Sequence, residues 1–167
     1  MEESGFTCAV LTISDKGSRG ERVDTSRPQL QQQLTEAGFQ VVDYTIVPDQ
    51  PRLIGETITK WVNQYPILRV ITTGGTGVSP SDRTPEATRA LLDLEIPGIG
   101  EAMRMASLAK TPNAILSRGI AGIRKESLII NLPGSEKGAR ENLAVVLTAL
   151  PHAIDKIKGG TKDCAAC

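Results

Sequence analysis

The residues best suited to chemistry form one short run. Val70-Ile71-Thr72-Thr73 leads into Gly74-Gly75-Thr76-Gly77, and Asp82 follows shortly before Thr84-Pro85. The β-branched residues read as a strand. The glycines after it read as a turn whose backbone N–H groups lie open to an anion, because no Cβ blocks approach. Thr84 suits a helix N-cap and Pro85 the first turn, and a helix N-terminus adds partial positive charge. Together these features make phosphate handling the expected chemistry. The competing reading is a tight strand-to-helix turn that holds no ligand.

Two common phosphate motifs are excluded. A Walker A loop needs a lysine followed by Ser or Thr after its last glycine, and none occurs here. A dinucleotide fingerprint needs a third glycine, and Val78-Ser79-Pro80 stands in its place. Residues 14–20 form a polar segment after an apolar run, which reads equally as a surface loop or as a phosphate or sugar contact. The single histidine, His152, reads as structural. Cys8 reads as a small core residue, and Cys164-Ala165-Ala166-Cys167 lacks the second ligand pair of a metal site.

The elements that must position these groups alternate. Strands are expected over residues 6–13, 40–47, 68–72 and 127–131. Helices are expected from about Pro28 to Gly38, after Pro51, from Pro85 to about Leu92, from Pro97, and from Ser135 through Ile154. Ile54, Ile58, Trp61, Val62 and Tyr65 recur at helical spacing, as do Ala139, Leu143, Val146, Leu147, Leu150 and Ile154. Met103 and Met105 read as packing residues. Residues 114–116 read as a short apolar segment, and 122–126 as a hairpin turn or tight loop. The expected fold is α/β: a single three-layer domain with a mainly parallel sheet and helices on both faces. Residues 159–167 read as a frayed tail.

Nineteen basic and nineteen acidic residues cancel, which gives no support to a nucleic-acid partner. No apolar run approaches membrane-spanning length, so a soluble cytoplasmic protein is expected.

Several spaced motifs occur in order. They are Thr12-Ile13-Ser14-Asp15, Val47-Pro48-Asp49, the 72–77 loop, and Ser79-Pro80-x-Asp82-x-Thr84-Pro85-Glu86-Ala87. Pro97-Gly98, Leu116-Ser117-Arg118, Asn131-Leu132-Pro133-Gly134-Ser135 and Pro151-His152-Ala153-Ile154 complete the set. The series resembles the molybdopterin adenylyltransferase family, whose domain type also forms the G domain of gephyrin, over about residues 7–156. Two positions depart from the pattern: Ser81 stands where a basic residue is frequent, and Arg27 where a glycine is.

The resemblance implies adenylyl transfer from ATP to molybdopterin, assisted by a divalent cation, Mg²⁺. It implies Asp82 and Asp49 as the catalytic and metal-organising carboxylates. Asp82 could instead bond its own turn, and Asp49 could cap the following helix. Gly74, Gly75, Thr76 and Gly77 would cradle phosphates, with Ser14, Asp15, Asp24 and Ser26 on the same nucleotide wall. Ser117, Arg118, Pro133, Gly134 and Ser135 would line the molybdopterin side, unless Arg118 is a surface ion-pair residue. The family further implies a homo-oligomer, a trimer, and a downstream molybdate-insertion protein. A non-catalytic molybdopterin-binding or scaffold module of the same fold is the alternative.

Overall fold

In the computed structural model, which describes residues 6–66 and 68–161, the first apolar run forms strand β1 (Phe6–Ile13). A one-turn helix α1 (Asp15–Ser18), helix α2 (Ser26–Glu36), strand β2 (Phe39–Val47), helix α3 (Pro51–Gln64) and strand β3 (Arg69–Thr73) follow. Then come α4 (Thr84–Arg89), β4 (Leu94–Glu95), α5 (Pro97–Leu108), a 3₁₀ turn (Pro112–Leu116), β5 (Ala121–Arg124), β6 (Ser127–Leu132), α6 (Glu136–Leu147) and α7 (Leu150–Ile157). The strands join one sheet in the order β2-β1-β3-β6-β5-β4. β2, β1, β3 and β6 run parallel, while β5 and β4 are antiparallel additions at one edge.

Successive side chains of a strand point to opposite faces, so a central strand covered on both sides feeds two cores, and any polar residue it buries needs a partner. Cys8 and Val10 of β1 enter one core with Ile71, Leu128, Ile130 and Leu132. Ala9, Leu11 and Ile13 enter the other with Val70 and Ile129. Leu30 and Leu34 of α2, Met103 of α5 and Leu143 of α6 cover the first face. Ile54, Ile58 and Trp61 of α3 and Ala87 of α4 cover the second. This is the three-layer arrangement expected from the sequence. Each fully buried Leu or Ile contributes about 1.5–3 kcal/mol by leaving water.

The order places β2 on one side of β1 and β3 on the other, so the chain reverses its winding direction between β1 and β3. In open α/β sheets such a reversal leaves a crevice beyond the carboxyl ends of the strands. Ser14 and Gly74 begin the segments that leave those two ends.

Several boundaries differ from expectation. Residues 14–20 open as α1 rather than as a loop, because the Ser14 hydroxyl accepts the Gly17 N–H at 3.0 Å. Residues 122–124 belong to β5, and the hairpin turn is confined to Lys125 and Glu126, with Lys125 at φ 54°. The expected helix from Ser135 to Ile154 is two helices. Pro151 has no N–H to donate to Leu147, so the helix stops and restarts with proline in its first turn. Met103 is buried, but Met105 is 73% exposed, since two residues turn about 200° around a helix. β4 was not legible: it is two exposed residues long. His152 lies partly buried in α7. Cys164 and Cys167 fall outside the described residues. No helix among the described residues is long and apolar enough to cross a membrane.

Candidate active site

The loop after β3 is shaped by close packing. Gly74 and Gly75 adopt φ 105° and 67°, where a side chain is strained. A Cβ on Gly74 would strike the Ile13 carbonyl, and one on Gly75 would strike the Thr84 hydroxyl. The loop closes on itself: Thr84 N–H donates to Gly75 O at 3.1 Å and Thr84 Oγ1 to Gly74 O at 2.9 Å. Thr84 is therefore not the N-cap of α4. Arg83 takes that place without a side-chain cap bond, and the buried Thr84 hydroxyl ties down the glycines.

The amides of Gly75, Thr76, Gly77 and Val78 meet no acceptor among the described residues. Gly74 departs from the expected cradle, because its N–H donates to Leu132 O at 3.2 Å. The sheet has already claimed that donor. The open donors thus start one residue later than the sequence suggests.

Two carboxylates abut this loop. The Asp49 oxygens lie 3.2 Å from where a Gly75 Cβ would stand, and Asp82 Oδ2 lies 2.8 Å from the equivalent point on Gly77. Asp49 does not cap α3: Gln50 is the N-cap residue, with no side-chain cap bond. Instead Asp49 Oδ1 accepts the Arg83 N–H at 3.4 Å, and its own N–H donates to Asp15 Oδ1 at 2.8 Å. Burial raises the Asp49 carboxyl above its ordinary range. The Arg83 N–H opposes that shift, and the charges of Asp82 and Asp15 add to it. Asp82 does bond its own turn, accepting the Ser79 N–H at 3.0 Å through Oδ2. That role coexists with its position beside Gly77.

Asp49 and Asp82 line one cavity of about 540 Å³ with Ser14, Asp24, Ser26, Gly74 and Gly75. Asp15 does not line it and acts through the Asp49 backbone. Asp24 is saturated. Oδ2 accepts from Thr12 Oγ1 at 2.6 Å and from Tyr44 OH, while Oδ1 accepts the Ser26 and Arg27 amides at 3.1 Å each. It fixes the start of α2 from a wall of the cavity. Arg27, the departure from the family's glycine, lies with its guanidinium 3.7 Å over the Tyr44 ring.

Gly134 and Ser135 line this cavity and also a second one, of about 390 Å³. Thr76, Gly77, Ser117 and Pro133 belong to the second cavity, so the glycine loop divides the two. Thr73 Oγ1 donates to Pro133 O at 2.7 Å, joining the loops that follow β3 and β6. Buried Asn131 donates to Thr72 Oγ1 and Thr88 Oγ1, each at 3.0 Å, and so locks β6 to β3 and α4.

Arg118 lines neither cavity. Its guanidinium is engaged by Glu86 and by the carbonyls of Gly77 and Asp82. Arg104, Lys110 and Lys137 do line the second cavity and were missed in the sequence. They project from the ends and polar faces of α5 and α6, where charge ordinarily means solvent. The available signal was Lys137, two residues after the N-cap Ser135.

A model described as a probable molybdopterin-binding domain matches residues 9–152. The chain belongs to this family. It is 45% identical to a molybdopterin adenylyltransferase of Helicobacter pylori over 90% of the chain and 86% of that relative. It is also 45% identical to gephyrin of Dictyostelium discoideum, matching 97% of the chain but spanning only 24% of that longer protein. Among solved structures, the molybdopterin biosynthesis enzyme MoaB of Thermus thermophilus superposes with a TM-score of 0.87. It is 50% identical and covers 92% of this chain and 97% of its own. The family read from the spaced motifs is therefore the family that whole-chain comparison gives.

Proposed function

We propose that this chain is a molybdopterin adenylyltransferase. A terminal phosphate oxygen of molybdopterin attacks the α-phosphorus of ATP, the bond from that phosphorus to the bridging oxygen breaks, and pyrophosphate leaves. The observation that carries this reading is the pair of cavities meeting at Gly134 and Ser135, divided by a loop with open amides. Two anionic reactants need alignment in adjoining sites more than they need a protein nucleophile. The attacking oxygen is already charged, so no protein base is required.

The geometry supports the following roles. Gly75 on the first cavity and Thr76 and Gly77 on the second, with the open amide of Val78 next in the loop, donate amide hydrogens to phosphate oxygens. Ser14 and Ser26 bound the nucleotide side, and Asp24 holds that wall in place. Ser117, Pro133 and Ser135, with Arg104 and Lys137, bound the molybdopterin side, where the basic groups suit its phosphate.

Asp49 and Asp82 fit Mg²⁺. Such an ion is usually held by one or two carboxylates plus substrate phosphates rather than by a closed protein cage. When bound, the ion offsets repulsion between the attacking and leaving phosphates.

We further propose a cytoplasmic homo-oligomer, a trimer, that passes product to a molybdate-inserting protein. The exposure of Met105, Leu108, Ile115 and Leu116 on α5 and the 3₁₀ turn supports self-association. Light scattering tests it, with a monomer as the contrary result.

The direct test incubates the folded protein with ATP, Mg²⁺ and molybdopterin and follows adenylylated product. Product formation is expected. Tight molybdopterin binding without ATP turnover would overturn the enzyme in favour of a binding module.

A further inference from the structure

Arg118 reaches the glycine loop at several points, from a segment that is itself held. Arg104 Nη1 donates to the carbonyls on either side of it, Ser117 O at 3.4 Å and Gly119 O at 2.8 Å. From there Arg118 N–H donates to Thr76 O at 2.8 Å, Nε to Gly77 O at 2.7 Å and Nη2 to Asp82 O at 2.8 Å. Nη1 pairs with the Glu86 carboxylate.

These bonds take hold of three peptide planes. In a trans peptide the carbonyl and the following N–H point in opposite directions, and the described chain has no cis bonds. Drawing the carbonyls of Thr76, Gly77 and Asp82 toward Arg118 therefore turns the N–H groups of Gly77, Val78 and Arg83 away from it. The Arg83 N–H shows where they turn: it donates to Asp49 Oδ1. The amides of Gly77 and Val78 are two of the open donors. A planar guanidinium with five fixed donors can serve two carbonyls and a carboxylate at once, which an ammonium on a flexible stem cannot do in the same geometry. Glu86 offsets the charge, so the residue contributes direction rather than a net cation.

We infer that Arg118 is a positioning residue for this reaction: its guanidinium aims the Val78 amide at the phosphates and the Arg83 amide at Asp49, while its main-chain N–H, which substitution by lysine or alanine keeps, holds the Gly77 amide, and it touches neither substrate. The inference rests on the adenylyl transfer proposed above. It replaces the expectation that Arg118 lines the molybdopterin pocket.

The test measures turnover, unfolding midpoint and binding of a nonhydrolysable ATP analogue for wild type, Arg118→Lys, Arg118→Ala and Glu86→Gln. Misaimed donors are expected to cut turnover of Arg118→Ala by about 10–100-fold. Guanidinium ion added at low concentration should restore part of the loss, whereas ammonium should not. A general structural lesion would be worsened by guanidinium, not relieved. Arg118→Lys should remain impaired, and Glu86→Gln, which keeps an acceptor, should lose less than either. Turnover of Arg118→Lys or Arg118→Ala within about twofold of wild type overturns the inference, as does a loss that guanidinium does not relieve. If Arg118→Ala does not fold, Arg118→Lys decides, with analogue binding about tenfold weaker at wild-type circular dichroism as the expected result. Wild type that binds the analogue but makes no product overturns the transferase reading alone, and the analogue affinities then decide Arg118.

Discussion

Replacing Gly75 by alanine tests the packing that brings the loop and the first carboxylate together. Gly75 sits at φ 67°, a conformation that costs an alanine about 1–2 kcal/mol. The new methyl group would also strike the Thr84 hydroxyl, which is buried and donates to Gly74 O at 2.9 Å. Losing that bond at a buried site costs about 1–3 kcal/mol. The sum, about 2–5 kcal/mol, is a large share of a typical stability but does not exceed it. For a chain of this size it corresponds to a fall in melting midpoint of about 10 °C. The methyl group would stand 3.2 Å from both Asp49 oxygens, so the carboxylate must shift and turnover must fall. Thermal unfolding and the product assay, run on the same preparation, measure both effects. Gly55→Ala is the internal control: it lies within α3, nothing stands within 4 Å of its added Cβ, and about 0.5–1 kcal/mol of stabilisation is expected. A Gly75→Ala protein that melts within about 2 °C of wild type and turns over normally would refute the reasoning.

Asp49→Asn should raise the melting midpoint at neutral pH while lowering turnover. Burial raises the Asp49 carboxyl, so folding favours its neutral form: the contribution is complete below the unfolded pKa and is lost as pH rises through the folded one. An asparagine keeps an acceptor for the Arg83 N–H, and its advantage should shrink toward acid pH; a lower midpoint at pH 7 contradicts this account. Asp82→Asn should cut turnover at least about tenfold, equivalent to about 1.4 kcal/mol, with the fold intact because the amide oxygen still accepts from Ser79. Unchanged turnover removes Asp82 from the mechanism. The Tyr44 phenol is pushed up to about 12 by burial first and by its hydrogen bond to Asp24 next. Its contribution to stability is complete below about 10 and is lost as pH rises through about 12. A late step in phenolate absorbance that disappears in Tyr44→Phe checks it, and the absence of any such step contradicts it.

What the sequence disclosed was what pattern and residue type can encode. β1 is apolar on both faces from Cys8 to Leu11, which marks it as a central parallel strand, whereas β3 is RVITT and was legible from its β-branched run rather than from apolarity. The α3 stripe from Ile54 to Val62 predicted a buried face and gave one. Pro151 carried the signal for the α6–α7 break, but the apolar spacing runs straight through it and masks the restart. At the site, glycines and aspartates were legible because few residue types can replace them there. Hydrogen-bond assignments were not. Nothing in Leu132 announces that its carbonyl takes the Gly74 amide, and an arginine in a phosphate-handling chain reads as a phosphate ligand. Only the fold brings Arg118 against carbonyls 41 and 36 residues away. Tyr44 and Arg104 were missed for the same reason: their partners are distant in sequence.

The central claim is that open amides beside two carboxylates receive a nucleotide's phosphates. A crystal structure with a nonhydrolysable ATP analogue and Mg²⁺ tests it most directly. The account predicts phosphate oxygens on the amides of Gly75 to Val78 and the ion between Asp49 and Asp82. Phosphates bound away from residues 74–82, with those amides still open, would contradict it.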